Sequence, residues 1–191
     1  EALLSEPVSG LRCFDFANDA LREELGLPKG VQVVLAGGDG PMAQIGSGAC
    51  EEGSINVDLG TSGAARVITH EPVVDGGQRM WTYAVTEDSW VYGGILSNAG
   101  NGYNWLIRNI AEFAHAKSLN EIFDIVNKKV AKLPPAKDNL LFVPYLIRCR
   151  SPYWDDEVKA TIYGLTHEHT FVDIVKSYLE SIGFDLFSLV S

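Results

Sequence analysis

The sequence predicts an α/β chain built around a ligand cleft, and three observations carry that prediction. The first is Val31–Ala36, a short valine-rich apolar run that ends in glycines around a lone acid, Asp39. The second is another apolar run that ends in Gly60-Thr61-Ser62-Gly63. The third is a change of period: beyond Gly100 and Gly102, apolar residues recur every three or four positions, as on a helix.

Composition sets the limits. The 191 residues suffice for one good core or two small ones, and 46% apolar content with scattered charge describes a globular chain. Fifteen Lys and Arg stand against 25 Asp and Glu, a net charge of −10 without any basic run. This argues against a nucleic-acid partner or a membrane surface. An anionic ligand remains accessible through backbone N–H groups, which composition does not count. Cys13, Cys50 and Cys149 are odd in number and far apart, so they read as reduced, buried thiols in a cytoplasmic protein. The apolar runs fall short of the roughly 18 residues a membrane span needs, and no basic segment with an apolar stretch opens the chain as a secretory signal. It starts at Glu1 and stops inside an apolar pattern, so it reads as a piece of a longer protein.

In order, residues 1–14, with Pro7 and Gly10, have little period and read as irregular. Phe16, Leu21 and Leu25 suit a short helix over Asp15–Leu25, stopped by Gly26 and Pro28. Val31–Ala36 reads as a strand buried on both faces. Pro41 suits the first turn of the next helix, which carries the small residues Ala43, Gly46, Ser47 and Ala49 before Glu51-Glu52-Gly53 turns the chain. Ser54–Leu59 and Ala64–Thr69 form a hairpin about Gly60–Gly63, and Trp81–Val85 and Trp90–Tyr92 are further strands joined at Thr86–Ser89. Tyr103, Leu106, Ile110 and Phe113 lie at helical spacing. Ser118 with Glu121 is a capping box for a helix from Leu119 to about Lys132, stopped by Pro134-Pro135. Leu140–Leu146 is a buried strand interrupted by Pro144, and 148–164 is irregular and aromatic-rich. A last amphipathic helix, capped by Thr166, carries Val172, Val175, Leu179, Ile182, Leu186 and Leu189, with Gly183 a candidate stop or bend. Gly53 is the boundary: residues 1–52 form a strand–helix piece and 53–191 a sheet with helices.

Several constellations carry chemistry, each with more than one reading. Gly38–Ala43 meets the G-x-G-x-x-A dinucleotide pattern with Asp58 downstream, but Asp39 would then sit beside a pyrophosphate and repel it. Asp39 otherwise reads as the N-cap of the following helix or as a carboxylate facing the crevice at a strand end, able to accept a proton. Gly60–Gly63 is a tight turn or a nest of N–H groups and hydroxyls for phosphate; it matches neither the Walker loop nor a hydrolase elbow. His167-Glu168-His169 does not share a helix face and reads as polarity before a helix rather than a metal site. Trp81, Tyr83, Trp90, Tyr92 and Trp105 read as packing aromatics, with a sugar platform as the other option.

Taken together, GGDGPMAQIGSGA, GSINVDLGTSGAARV, YAVTEDSWVYGGILSNAGNGYNWL, LLFVPYLIRCRSPYWD and YGLTHEHT resemble, in order, the middle and C-terminal portion of FGGY-type carbohydrate kinases, and most of all the gluconate kinases. The resemblance runs from Gly26 to the end. It implies an actin-like (ribonuclease H-like) ATPase fold, of which 1–52 would be the end of the first lobe and the hinge, and 53–191 an incomplete nucleotide-binding lobe. It implies ATP with Mg²⁺, a sugar acid such as gluconate as acceptor, no nucleic acid or membrane, and allows a homodimer.

Residue by residue, the resemblance implies that Asp39 is the catalytic base and contacts the sugar, and that Thr61, shaped by Gly60, Ser62 and Gly63, binds phosphate. Gly100 and Asn104 are implied as nucleotide contacts at a helix start. The chain departs from the family at Arg148-Cys149-Arg150, where Gly-Glu-Arg is usual, and at Ser177–Ser181, which replaces an Ala-x-x-Glu-Gly pattern. The family's N-terminal phosphate loop and C-terminal adenosine motif are absent, so the piece alone is expected to be inactive. A non-catalytic relative that binds sugar or nucleotide, or a kinase for xylulose or glycerol, is the alternative.

Overall fold

The structure is a computed structural model. It describes residues 5, 8–16, 18–114, 118–135 and 139–190, with the side chains of 110–114 outside that description. Thirteen elements follow in order: β1 (Cys13–Asp15), α1 (Asp19–Glu24), β2 (Gln32–Val34), α2 (Asp39–Gly46), β3 (Ile55–Leu59), β4 (Gly63–Thr69), β5 (Trp81–Ala84), β6 (Trp90–Leu96), α3 (Gly100–Ala114), α4 (Leu119–Val130), β7 (Leu141–Val143), β8 (Thr161–Tyr163) and α5 (Phe171–Ser188). The chain divides into two compact units. One comprises Glu1–Ile55, Val67–Val73 and Thr82–Tyr92; the other comprises Asn56–Arg66, Val74–Trp81 and Gly93–Ser191.

In the first unit, β1 pairs antiparallel with β2, Cys13 opposite Val34 and Asp15 opposite Gln32. This corrects two expectations. The start is not wholly irregular, because β2 supplies a partner that local sequence does not reveal. Nor is β2 buried on both faces: among the described residues it lies in a two-stranded ribbon, and Val33 and Val34 are about half exposed. The first helix is shorter than expected, because Asn18 caps it by accepting a hydrogen bond from Ala20 N–H at 2.8 Å. Helix α2 begins at Asp39 and closes with Gly48 at φ +82°, leaving Ala49 outside. Gln44, fully buried, then donates to the carbonyls of Ala49 and Ser54 and pins the segment that leads into β3.

The central sheet has four strands in the order β3-β4-β6-β5. Gly60–Gly63 joins β3 to its neighbour β4, and the turn after β5 closes with Val85 and Thr86 N–H both donating to the Ser89 carbonyl. Strand β6 runs further than expected, through Gly93 and Gly94 to Leu96. Gly93 is required there: a Cβ would lie 2.2 Å from the Ala65 carbonyl oxygen on the adjoining strand.

The hydrophobic core belongs to the second unit. Leu106 and Ile107 of α3, Ile122, Val126 and Val130 of α4, and Val175, Tyr178 and Ile182 of α5 meet Phe142 of β7. The i, i+4, i+8 stripe on α4 is the spacing that puts three side chains on one face. Rings add directional contacts: Phe142 meets Tyr178 edge-on at 5.2 Å and Tyr103 meets Phe123 at 5.3 Å. Of the residues read at helical spacing in α3, the side chains of Ile110 and Phe113 lie outside the described residues. Ser118 caps α4, its hydroxyl accepting from Glu121 N–H at 3.2 Å. The stretch 148–164 is not wholly irregular, since β8 pairs antiparallel with β7, Phe142 opposite Ile162. Only Phe142 of β7 is buried, so the expected strand, buried throughout, is a short edge segment.

Helix α5 is capped by Thr170, not Thr166: the Thr170 N–H and hydroxyl both donate to Asp173 Oδ2 at 2.7 Å. It continues through Gly183 without a stop. All three cysteines are free, but only Cys149 is buried; Cys13 and Cys50 are exposed, contrary to expectation. No helix among the described residues is long and apolar enough to cross a membrane.

Two stability predictions follow from α5. A Cβ on Gly102 would lie 2.0 Å from the hydroxyl of the fully buried Tyr178, which donates to the Ala99 carbonyl at 2.8 Å. Gly102→Ala should therefore cost about 2–3 kcal/mol in denaturant unfolding, as overpacking does. Burial lifts the Asp185 carboxyl to about 6, with the hydrogen bond from the Tyr145 hydroxyl at 3.5 Å acting in the opposite direction. An acid so raised favours folding fully only below its ordinary value near 3.8, and that contribution is lost as pH climbs through 6. Asp185→Asn should raise the melting midpoint by a few degrees above pH 7 and leave it unchanged near pH 4.

Candidate active site

The loop Gly60–Gly63 turns its carbonyls inward. Gly60 N–H donates to the Ser62 carbonyl at 2.9 Å, the Gly60 carbonyl accepts from Gly100 N–H at 2.9 Å, and the Thr61 carbonyl accepts from Asn101 N–H at 3.1 Å. With three carbonyls engaged, the N–H groups and hydroxyls of Thr61 and Ser62 have no partner among the described residues. Thr61 is exposed and Ser62 half-buried. Two hydroxyls and two amides without partners among the described residues, gathered at one turn, are the kind of donor set that an anion-binding nest uses. Gly63 is buried, with Leu59 and Leu96 at 3.4 Å from where a Cβ would sit, so its part is to seat the loop on the sheet.

The start of α3 is built to receive that loop. Gly100 has no room for a side chain: a Cβ would lie 2.5 Å from the Gly60 carbonyl oxygen. Its N–H is already spent on the loop, so it serves by close approach rather than as a donor to a ligand. Asn101, which sequence reasoning passed over, fixes the turn. Its Oδ1 accepts from Ala99 and Gly102 N–H at 2.9 and 2.7 Å, and its Nδ2 donates to the Ser97 carbonyl at 2.8 Å. Buried Asn98 does the same for the next loop, donating to the Arg148 carbonyl at 2.9 Å and accepting from Ile147 N–H at 3.2 Å. Two asparagines flanking an Ala-Gly at a helix start are the signal that could have found them.

Asn104 is half-buried on α3 and accepts from Arg108 Nε at 3.0 Å. Beside the helix start lies a cavity of about 310 Å³ lined by Asn98, Asn101, Gly102, Trp105, Leu146 and Ile147. Trp105, expected among packing aromatics, is 50% exposed and forms one of its walls. Trp81 instead lies 6.0 Å from the Arg66 guanidinium, which is buried and ion-paired with Asp58. Asp58 is thus engaged within the hairpin, which removes the carboxylate that a dinucleotide reading would need.

In the first unit, Asp39 is the first residue of α2, and the cap position belongs to Gly38. The cap reading of Asp39 is therefore corrected: its Oδ1 accepts only from the adjacent Gly40 N–H at 2.7 Å, and the side chain is exposed. No other partner of the carboxylate is seen among the described residues. An acid in the first turn gains from the helix dipole without being consumed by a cap. His169 Nδ1 contacts Thr166 N and Oγ1, each at 3.0 Å, so it orders the turn before α5.

Residues 55–191 match the model of the FGGY family of carbohydrate kinases, C-terminal domain. The gluconokinase of Bacillus licheniformis is 33% identical over 189 residues, covering 97% of this chain and 37% of that kinase. A xylulose kinase of Staphylococcus epidermidis is 28% identical over 173 residues, 90% of this chain and 33% of its own length. The crystal structure of gluconate kinase from Lactobacillus acidophilus superposes with a TM-score of 0.82 at 25% identity, over 96% of this chain and 36% of that one. The chain thus spans about a third of the length of the relatives it matches, and its fold is the actin-like ATPase fold of those kinases, as the sequence predicts. On the family match over residues 55–191, the chain belongs to the FGGY family of carbohydrate kinases.

Proposed function

We propose that the protein of which this chain is part transfers the γ-phosphoryl group of ATP to a hydroxyl of a sugar acid, with gluconate as the acceptor. The observation that carries the reading is the clasp between the Gly60–Gly63 loop and the start of α3, which leaves the Thr61 and Ser62 amides and hydroxyls without partners among the described residues and so available to phosphate oxygens. Phosphoryl transfer needs little covalent chemistry from the protein; it needs positioning and preorganised donors on the developing charge. Asp39 supplies the remaining requirement. It accepts the proton of the acceptor hydroxyl as that oxygen bonds to the γ-phosphorus and ADP departs.

Gly60, Thr61, Ser62 and Gly63 form the phosphate loop in this reading, and Gly100 and Asn104 place the nucleotide on α3. The cavity walled by Trp105 is large enough for a base or a ribose. Mg²⁺ fits the donor set through ATP, because this ion keeps its waters and binds mainly through phosphates. The described residues hold no group of three His, Cys, Asp or Glu placed to bind a metal by themselves. We assign residues 1–52 to the first lobe and 53–191 to the second, a division supported by the family match from residue 55. A gluconokinase at 33% identity supports gluconate; a xylulose kinase at 28% makes a pentulose the competing acceptor.

Two measurements on the full-length protein test this. In coupled assays of ADP formation with gluconate, Asp39→Asn should lower kcat by about 10²–10⁴ with little change in KM for ATP. Equal rates would remove the base assignment. Gly100→Ala, which drives a methyl into the Gly60 carbonyl, should raise KM for ATP at least tenfold while KM for the acceptor holds. A uniform loss of both would instead signal misfolding.

A further inference from the structure

The first unit contains a second cavity, of about 370 Å³, which the phosphate chemistry does not use. It is lined by Ser9, Gly10, Leu35–Gly37 and the β5–β6 turn from Ala84 to Glu87, with Val8 at its edge. Its floor is unusually constrained. Gly10 carries no Cβ because one would sit 2.4 Å from the Ala36 carbonyl oxygen, Ala36 N–H donates to the Gly10 carbonyl at 2.8 Å, and Ala36 holds φ at +60°. A non-glycine residue kept in the left-handed region marks a conformation that the surroundings impose, and such sites cluster where ligands bind. Gly37 lines the cavity two residues before Asp39. Consecutive Cα atoms are about 3.8 Å apart, so the Asp39 Cα lies within roughly 7.6 Å of a lining residue.

The polar side chains that line this cavity are Ser9, Thr86 and Glu87, and the first two hydroxyls are engaged within their own turns. The turn is rigid, since Thr86 Oγ1 bonds both Asp88 Oδ1 and the Ser89 hydroxyl while Val85 and Thr86 N–H close on Ser89. That rigidity leaves Glu87 exposed at the cavity wall with no hydrogen-bond or ion-pair partner among the described residues. Among the described residues, no Lys, Arg or His lines the cavity. An unpaired carboxylate accepts hydrogen bonds and donates none, so it suits hydroxyls and repels carboxylate or phosphate. Leu35 and Val85 offer apolar surface for the C–H face of a sugar.

We propose that this cavity binds the uncharged polyhydroxylated end of the acceptor, with Glu87 as the specificity residue that accepts from its hydroxyls. The carboxylate of a sugar acid then points away from the β5–β6 turn. This deepens the kinase reading and rests on it for the identity of the acceptor.

The test uses the full-length protein with Glu87→Gln and Glu87→Asp. Since Glu87 is exposed and has no hydrogen-bond or ion-pair partner among the described residues, both variants should melt as wild type does. Steady-state assays with D-gluconate and with D-xylulose should show KM for each acceptor rising at least tenfold in Glu87→Gln and less in Glu87→Asp, with KM for ATP unchanged. Calorimetric titration with the same two sugars, without ATP, should show the same loss of affinity. Wild-type KM and affinity in Glu87→Gln would overturn the inference and leave the kinase reading standing. Sugar binding that weakens in Glu87→Gln without any phosphoryl transfer by wild type would support the cavity and sink the kinase reading.

Discussion

Two backbone hydrogen bonds, from Gly100 N–H to the Gly60 carbonyl and from Asn101 N–H to the Thr61 carbonyl, set the geometry on which the second unit's site depends. A helix start leaves its first amides without intrahelical partners. In many folds those amides bind an anion directly. Here the Gly100 and Asn101 amides are given to a hairpin loop, whose own Thr61 and Ser62 amides and hydroxyls have no partner among the described residues. The arrangement needs the absence of a side chain at Gly100 and a rigid approach to the helix. Asn101 supplies the rigidity through three hydrogen bonds across Ser97 to Gly102, and Tyr178 holds the same turn from α5 through Ala99. The core therefore ends in the site: the ring that packs edge-on against Phe142 also fixes the carbonyl next to Gly100.

Much of this was legible locally. The hairpin about Gly60–Gly63, the turn at Thr86–Ser89 and the Ser118 cap each depend on residues within a few positions of one another, so local patterns find them. The α5 cap is legible as well, but the sequence offers two threonines for it, and the structure uses Thr170. Thr170-x-x-Asp173 carries the reciprocal pattern with an acid in place of Glu, whereas Thr166 only opens the turn that His169 closes. Asn101 is legible only as a short polar side chain at a helix start, a weaker signal than the glycines on either side of it.

What was not legible depends on partners distant in sequence. Cys13–Asp15 has little period and becomes a strand only because Gln32–Val34 lies beside it; β8 exists for the same reason through β7. Val31–Ala36 misled in the other direction, since an apolar run reports a preference for burial and not whether a layer is present to satisfy it. Gly100 is the subtler case. The sequence marks it as a place where backbone approaches closely, but whether the approaching group is a ligand or the protein's own loop is a three-dimensional fact. Asp39 shows the converse, where an acid before a helix could be a cap or a free carboxylate, and one residue of register decides it.

The charge balance gives these details a common cause. A chain at net −10 has little cationic surface to offer a polyphosphate, and the Gly60–Gly63 loop contains neither Lys nor Arg. Phosphate binding by peptide N–H groups removes that requirement, because the dipoles are fixed by the fold and need no reorganisation when charge develops. The cost is geometric. A lysine can be displaced by an ångström and still find an anion, whereas a nest of amides is held only by the hydrogen bonds behind it. On the proposed reading, such a site should tolerate changes of surface charge and fail on single methyl groups, since a Cβ at Gly100 would meet the Gly60 carbonyl and one at Gly102 the Tyr178 hydroxyl.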